Sequence, residues 1–171
     1  GRLDLVQAYV GESGGLRLGA TEEELQLGFQ WACQYGHAEV VACLLDRGVE
    51  VGRLHRGQTG LHWAAYGGHA DIVRRLLEKG APVELEDKTY QTTPLGWALY
   101  GWFQPPPGSV LQRYPEVVSQ LVGRGAVVRP ECRQDARIQS DVRMMRALNL
   151  ESDGATHEGA QSSQQVRGAL D

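Results

Sequence analysis

Short apolar stripes at helical spacing recur along much of the chain. The clearest stripe follows Asp71 and ends at Gly80, and its apolar members are Ile72, Val73, Leu76 and Leu77. Paired apolar positions four residues apart lie on one face of a helix. A helix this short is not stable alone in water. The pattern therefore predicts a short helix that packs its stripe against neighbours of the same kind.

The same signature occurs four times. An acidic residue opens each copy and a glycine closes it; the acids are Asp4, Glu39, Asp71 and Glu116, and the glycines are Gly11, Gly48, Gly80 and Gly125. The acids are separated by 35, 32 and 45 residues. A shorter helix containing tryptophan and alanine precedes three copies, at Trp31, Trp63 and Trp97. The first copy lacks this helix, so the chain is expected to be a fragment that begins inside a repeat.

These units resemble ankyrin repeats, which pair two helices with a turn at a period of about 33 residues. Thr59-Gly60-Leu61-His62 and Thr93-Pro94-Leu95-Gly96 are similar to the family's Thr-Pro-Leu-His tetrapeptide, and Gly36-His37 and Gly68-His69 to its Gly-His junction. The resemblance covers residues 1–129. It implies an all-α solenoid of stacked helix–turn–helix units with finger-like turns, in which Thr59 and His62 share a hydrogen bond. Gly60 replaces the family's proline, at an expected cost of about 1 kcal/mol.

The last full repeat carries an insertion of about a dozen residues at 102–114, between its two helices. Its three consecutive prolines favour the polyproline conformation and exclude helix. It is either a tolerated surface loop or part of a binding face.

Two further segments follow the repeats. Residues 130–149 are predicted to form a capping helix or a degenerate repeat, with an apolar stripe of Ile138, Val142, Met145 and Leu148. Residues 150–171 are small and polar, and are predicted to be disordered.

Composition and charge narrow the function classes. Apolar residues make up 42% of the 171, which suffices for a core. The net charge of −4 includes no long run of either sign, so nucleic acid is not an expected partner. No apolar run approaches the roughly 18 residues of a membrane span. Three cysteines and no evident signal segment favour a reducing, cytoplasmic location.

No constellation of catalytic residues stands out. The histidines and cysteines lack the spacing of a metal site, and no cofactor or small-molecule substrate is expected. Cys33 and Cys43 suit small buried positions. The three repeated tryptophans could form a stacking platform for bases, but their recurrence favours burial at equivalent core positions.

The resemblance instead implies a surface for another protein. The family leaves positions on the fingers and after the alanine pair free for recognition, and with the insertion's aromatic residues the predicted partner-binding set is Tyr35, His55, Arg56, Gln58, Tyr66, Thr89, Tyr90, Tyr100, Trp102 and Phe103. Tyr66 and Tyr100 are one repeat apart and are expected to be neighbours on a concave patch. Tyrosine is enriched in interfaces, although these rings could also pack partly under the groove.

The predicted function is therefore a non-catalytic protein–protein interaction module that binds through the concave groove. The alternative is a targeting or regulatory segment of a larger enzyme or effector whose N-terminal part is missing from this fragment.

Overall fold

The computed structural model describes residues 21–150, and these form four consecutive helix pairs. The pairs are α1 (Glu22–Gln34) with α2 (Ala38–Asp46), α3 (Gly60–Tyr66) with α4 (Ala70–Glu78), α5 (Pro94–Phe103) with α6 (Tyr114–Gly123), and α7 (Ala136–Ser140) with α8 (Val142–Ala147). Two 3-10 turns lie at Leu111–Arg113 and Pro130–Arg133. Between residues 21 and 150 there is no strand, and only an isolated bridge joins His55 to Gln58. The predicted all-α solenoid is confirmed.

The helices stack in two rows. An inner row contains α1, α3 and α5, and an outer row contains α2, α4, α6 and α8. The predicted stripes face the space between the rows: Ile72 is 1% exposed and Leu76 is fully buried, as are Leu61 and Leu121. Each such side chain contributes about 1.5–3 kcal/mol when fully buried. The core is therefore continuous from one repeat to the next.

Side-chain caps fix the starts of the inner helices. Thr21 and Glu24 form the capping box expected from their spacing, since the Glu24 amide donates to Thr21 and the Thr21 amide donates to Glu24. At α3, Thr59 Oγ1 lies 2.8 Å from His62 Nδ1. This confirms the Thr59–His62 hydrogen bond that the resemblance implied.

Glycines end the helices where the backbone turns left-handed. Gly80 has φ +83°, as predicted for the residue that closes α4, and Gly125 has φ +95° after α6. Residues with a Cβ rarely adopt this conformation. Each glycine thus turns the chain out of an outer helix and into the next finger.

The interpretation of Gly60 as a plain loss of stability was wrong. A Cβ built on Gly60 would lie 2.7 Å from a ring carbon of Phe29 and 3.0 Å from the sulfur of Cys33. Both of those side chains are fully buried in α1. The absence of a side chain at Gly60 lets α3 approach α1 closely, and the Cβ of a proline or alanine would force Phe29 or the helices to shift.

The prediction that Trp31, Trp63 and Trp97 are buried at equivalent positions is confirmed for Trp97 and was wrong for Trp31 and Trp63. Trp97 is 8% exposed, Trp63 is half-buried and Trp31 is 56% exposed. Trp97 is covered by the finger that precedes α5 and by rings from α3. Among residues 21–150, no aromatic ring contacts Trp31. Burial at this position therefore comes from the neighbours on the concave side and not from the helix register.

The insertion is shorter than its predicted bounds of 102–114. Trp102 and Phe103 belong to α5. This helix is about one turn longer than α3, the equivalent helix of the preceding repeat. Tyr114 begins α6 and is fully buried. Only residues 104–113 lie between the two helices, because α5 continues to Phe103 and ends just before the Pro105–Pro107 run.

The segment after Pro130 breaks into two helices at Asp141, which caps α8. Ile138 and Leu148 are buried as the predicted stripe required, but Val142 is 63% exposed and Met144 is fully buried instead. The break shifts the helical register, so the stripe changes face. The predictions for the first half-repeat at residues 1–10 and for the tail at 151–171 lie outside the described residues.

A candidate partner-binding groove

Five aromatic side chains form a contiguous cluster on the inner helices and the finger before α5. We call it the aromatic cluster; its members are Trp63, Tyr66, Tyr90, Trp97 and Tyr100. Trp97 lies at its centre, with ring centroids 5.0 Å from Trp63, 5.8 Å from Tyr66 and 6.0 Å from Tyr90. The rings of Tyr66 and Tyr100 lie 6.0 Å apart and are nearly parallel, at 16°.

The cluster is rigid beneath and open above. Trp97 is almost completely buried, Trp63 and Tyr66 are half-buried, and Tyr90 and Tyr100 are 72% and 53% exposed. The sequences of α3 and α5 contain no acidic residue, lysine or arginine. α3 and α5 therefore contribute aromatic and uncharged side chains to the groove, and the exposed rings offer apolar faces together with hydroxyl groups.

Asp87 holds the finger against this cluster. Its carboxylate is 1% exposed and accepts hydrogen bonds from the amides of Thr89 at 2.8 Å, Tyr90 at 2.7 Å and Thr92 at 3.2 Å. It also accepts one from the indole N–H of Trp97 at 3.0 Å. A single side chain thus fixes the loop that carries Tyr90 and ties it to α5.

The same hydrogen bonds set the charge state of Asp87. Burial acts to raise the pKa of its carboxyl, but the bonds from Trp97 and from the finger amides outweigh this and hold the pKa below its usual value. A carboxylate that accepts several N–H groups is stabilised in its ionised form. Asp87 is therefore a buried anion beneath the groove.

Adjacent fingers are linked to each other. Gln58 is 7% exposed, and its side-chain amide donates to Thr89 Oγ1 at 3.0 Å, while the Lys88 amide donates to the Gly57 carbonyl at 2.9 Å. The amide of Gln30 donates to the Gln58 carbonyl at 2.6 Å. The side chain of Gln58 is therefore engaged within the fold and is not available to a partner, although Gln58 belongs to the predicted partner-binding set.

The other predicted residues divide into three groups. Tyr66, Tyr90 and Tyr100 come together in the aromatic cluster, and Thr89 lies exposed beside Tyr90 on the finger. Tyr35 is 61% exposed, and Arg56 is exposed at a fingertip with φ +53°, while His55 is half-buried. Within residues 21–150, none of these three has a ring contact with the cluster.

Trp102 and Phe103 lie apart from the aromatic cluster. Their rings contact each other at 5.0 Å, and Phe103 stacks under Arg137.

Trp63, Trp97 and Asp87 border the predicted residues but were not part of the predicted partner-binding set. Trp63 and Trp97 were predicted to be core residues, which is correct for Trp97, and Asp87 was not singled out. The spacing between Asp87 and Trp97 is not part of the tetrapeptide pattern, so only the folded finger shows their contact.

Hydrogen bonds also join successive repeats at the ends of the inner helices. The ring of His69 lies 2.9 Å from the carbonyl of Gln34, the last residue of α1. The hydroxyl of Tyr114 donates at 2.6 Å to the carbonyl of Tyr66, the last residue of α3. His69 and Tyr114 both stand two residues before the acid that opens an outer helix. Tyrosine thus takes over the role of the Gly-His histidine in the third unit.

The histidine, cysteine and acidic side chains are also candidate metal ligands or reactive groups. In the described part of the chain, no three His, Cys, Asp or Glu residues form a cluster that could hold a metal ion. Burial raises the pKa of the Cys33 thiol and lowers the pKa of His62. None of the helices in residues 21–150 combines the length and hydropathy that crossing a bilayer requires.

A family model of ankyrin repeats, in three copies, matches residues 29–131. The match covers more than half of the chain, and the protein belongs to the ankyrin-repeat family. Comparison with curated proteins found no match. Ankyrin repeats are generally protein–protein interaction modules and are typically non-catalytic.

Proposed function

We propose that this chain is a non-catalytic module that binds another protein through the aromatic cluster of its concave groove. The observation that carries the proposal is the cluster itself: the exposed Tyr90 packs on the nearly buried Trp97, the exposed Tyr100 stacks on Tyr66, and the two helices beneath them have no charged side chain. Tyrosine orders at little entropic cost and presents both an apolar face and a hydroxyl. Such rings are typical anchors of protein interfaces.

The rigidity of the groove supports the same proposal. The finger that carries Tyr90 is held by four hydrogen bonds to Asp87, and neighbouring fingers are joined by Gln58. A preorganised surface loses less entropy on binding than a flexible one. A partner would therefore meet Tyr90 and Tyr100 in positions close to those of the free protein.

Photocrosslinking tests where a partner lies. A benzophenone side chain placed at Tyr100 should trap a protein from an extract of the source cells, whereas the same group at Arg75, exposed on the outer helix α4, should not trap it. The trapped protein can then be purified and its affinity for the unmodified chain measured.

Substitution then tests the tyrosines directly. Tyr90→Ala and Tyr100→Ala should each weaken that affinity by about thirtyfold, or about 2 kcal/mol, as expected for interface anchors. Because both rings are exposed, thermal stability should change little, and Arg75→Ala should alter neither property. Tyr66→Ala is a poorer test, since Tyr66 is half-buried against three other rings. Undiminished affinity in both tyrosine variants would refute the groove as the binding site.

A further inference from the structure

A second surface lies where the extra turn of α5 meets α7 and α8. It is an open cleft with a volume of about 630 Å³, and its lining residues are Trp102, Phe103, Arg137, Ser140, Asp141, Val142 and Arg143. We call it the arginine–aromatic cleft. Binding pockets in proteins commonly have volumes of about 300–1,000 Å³.

The aromatic side of this cleft belongs to the α5–α6 pair and has no counterpart in the α3–α4 pair. α3 ends at Tyr66, one repeat before Tyr100, but α5 continues to Phe103. At the positions one repeat before Trp102 and Phe103 stand Gly68 and His69, which form the junction to α4. The longer α5 therefore adds two large rings that the repeat pattern itself does not provide.

The other side of the cleft is open because the next helix pair is small. α7 has five residues and α8 has six, against ten in each of α5 and α6. The short α7 does not extend the inner row along the full length of α5. The rings of Trp102 and Phe103 are left half-buried at this edge of the stack.

Two guanidinium groups project into this space. The Cζ atom of Arg137 lies 3.7 Å from the centroid of the Phe103 ring, a cation–π contact that positions the guanidinium group over the ring. The side chains of Arg137 and Arg143 are 62% and 64% exposed. Both arginines are therefore positioned to meet an anion from solvent.

The nearby carboxylates form only long ion pairs with these arginines. Asp135 lies 3.9 Å from Arg137 and Asp141 lies 3.8 Å from Arg143, at the outer limit of an ion pair. Asp135 instead accepts from two amides at the start of α7, and Asp141 from two at the start of α8, at 2.9–3.2 Å. Their side chains are only 31% and 23% exposed. The acids are folded into helix caps while the arginines face outward.

The charge of this region is opposite to that of the whole chain. Residues 124–150 contain six basic and three acidic residues, namely Arg124, Arg129, Arg133, Arg137, Arg143 and Arg146 against Glu131, Asp135 and Asp141. The whole chain has a net charge of −4. A local positive potential on an acidic protein attracts a short anionic segment and steers its approach.

We propose that the arginine–aromatic cleft binds a short acidic segment of another protein, in which carboxylates flank an apolar side chain. The carboxylates would pair with the guanidinium groups of Arg137 and Arg143, a geometry that arginine favours. The apolar side chain would pack against Trp102, Phe103 and the exposed Val142. A long nucleic acid fits less well, because its regularly spaced phosphates would also meet the acidic remainder of the chain. This site is separate from the aromatic cluster and does not depend on the function proposed for it.

Fluorescence anisotropy with labelled peptides and the full chain tests the proposal. The probe is a short peptide of alternating glutamate and leucine, and the matched control peptide has lysine in place of glutamate. The glutamate peptide should bind and the lysine peptide should not. Added salt should weaken binding, because exposed charges are screened.

Substitutions locate the binding. The double variant Arg137→Gln, Arg143→Gln should weaken binding of the glutamate peptide at least about tenfold, and Arg137→Lys, Arg143→Lys should retain more of it. Arg74→Gln, on the outer helix α4, is the control and should have little effect, since Arg74 is an equally exposed arginine in weak ion pairs. Circular dichroism should show the same helical content in each variant, because the substituted side chains are exposed.

Other outcomes overturn the proposal. Absence of glutamate-peptide binding would do so, as would binding that the Arg137 and Arg143 substitutions leave unchanged. Tighter binding of an oligothymidylate than of the peptide, abolished by the same substitutions, would assign the cleft to nucleic acid instead. Tyr100→Ala should leave peptide binding intact, which separates this site from the groove.

Discussion

Replacing Asp87 with asparagine tests how strongly one buried carboxylate holds the finger. Its Oδ1 atom accepts from the amides of Thr89 and Tyr90, and its Oδ2 atom accepts from the Thr92 amide and the Trp97 indole. Asparagine has the same shape and can keep its oxygen at the first position. Its NH2 group would then face the Thr92 amide and the Trp97 indole, and it cannot accept a hydrogen bond from either N–H group.

The expected cost follows from which donors lose their partner. The Trp97 indole is almost completely buried, and a buried donor without a partner costs about 1–3 kcal/mol. The Thr92 amide is only half-buried, so water replaces part of its bond and adds about 1 kcal/mol. Asp87→Asn should therefore reduce the free energy of unfolding by about 2–4 kcal/mol.

Urea denaturation followed by circular dichroism measures this change. Glu86→Gln removes a charge from the exposed neighbouring position and should alter stability by less than about 0.5 kcal/mol. A double-mutant cycle with Trp97→Phe should show coupling of about 0.5–3 kcal/mol between Asp87 and Trp97. An Asp87→Asn variant as stable as the parent would refute the assignment of Asp87 as the residue that holds the finger.

Two further predictions concern stability. Gly60→Ala should lower the melting temperature, because overpacking against Phe29 costs about 1–3 kcal/mol and outweighs a helix-propensity gain of about 1 kcal/mol. Gly28→Ala in α1 is the control and should raise the melting temperature, because a Cβ added there meets open space. A rise in both variants would contradict the close approach of α3 to α1. The second concerns pH: burial lowers the pKa of His62 below its unfolded value of about 6.5, so the unfolded chain binds a proton first and stability should fall as pH drops from about 6.5 toward the folded pKa. Urea midpoints across this range check it, and no loss of stability on acidification would count against the buried, neutral histidine.

The repeat pattern allowed most of the fold to be predicted. Asp71, the stripe of Ile72 and Leu76, and Gly80 describe a complete helix with its start, its buried face and its end. Thr59 and His62 are three residues apart and bond within one turn. These are local relations, and local relations can be read from spacing.

The errors come from contacts between elements that are distant in sequence. Gly60 was judged by helix propensity, but its environment is Phe29 in the preceding repeat. Burial of Trp97 depends on Asp87 and Tyr90 in the finger, and the sequence pattern does not show whether a finger covers a given tryptophan. Phe103 was placed in the insertion because the spacing between repeats showed about a dozen extra residues, and that spacing does not show how far the preceding helix continues.

The candidate site was only partly predictable for the same reason. Register along the inner helices correctly suggested that Tyr66 and Tyr100 are neighbours, since their side chains occupy the same position one repeat apart. It gave no indication that Gln58 turns inward to Thr89. A polar residue on a finger can either bind a partner or join two fingers, and its identity alone does not distinguish these roles.

The bonds from His69 to Gln34 and from Tyr114 to Tyr66 give the stack a direction. In each case the last residue of an inner helix depends on a side chain that is synthesised later, in the next repeat. During translation, α3 would be complete with its final carbonyl unpaired until Tyr114 emerged, 48 residues further on. Each repeat thus supplies the hydrogen bond that completes the inner helix of the repeat before it. A chain interrupted between two repeats would fray first at the end of its last inner helix.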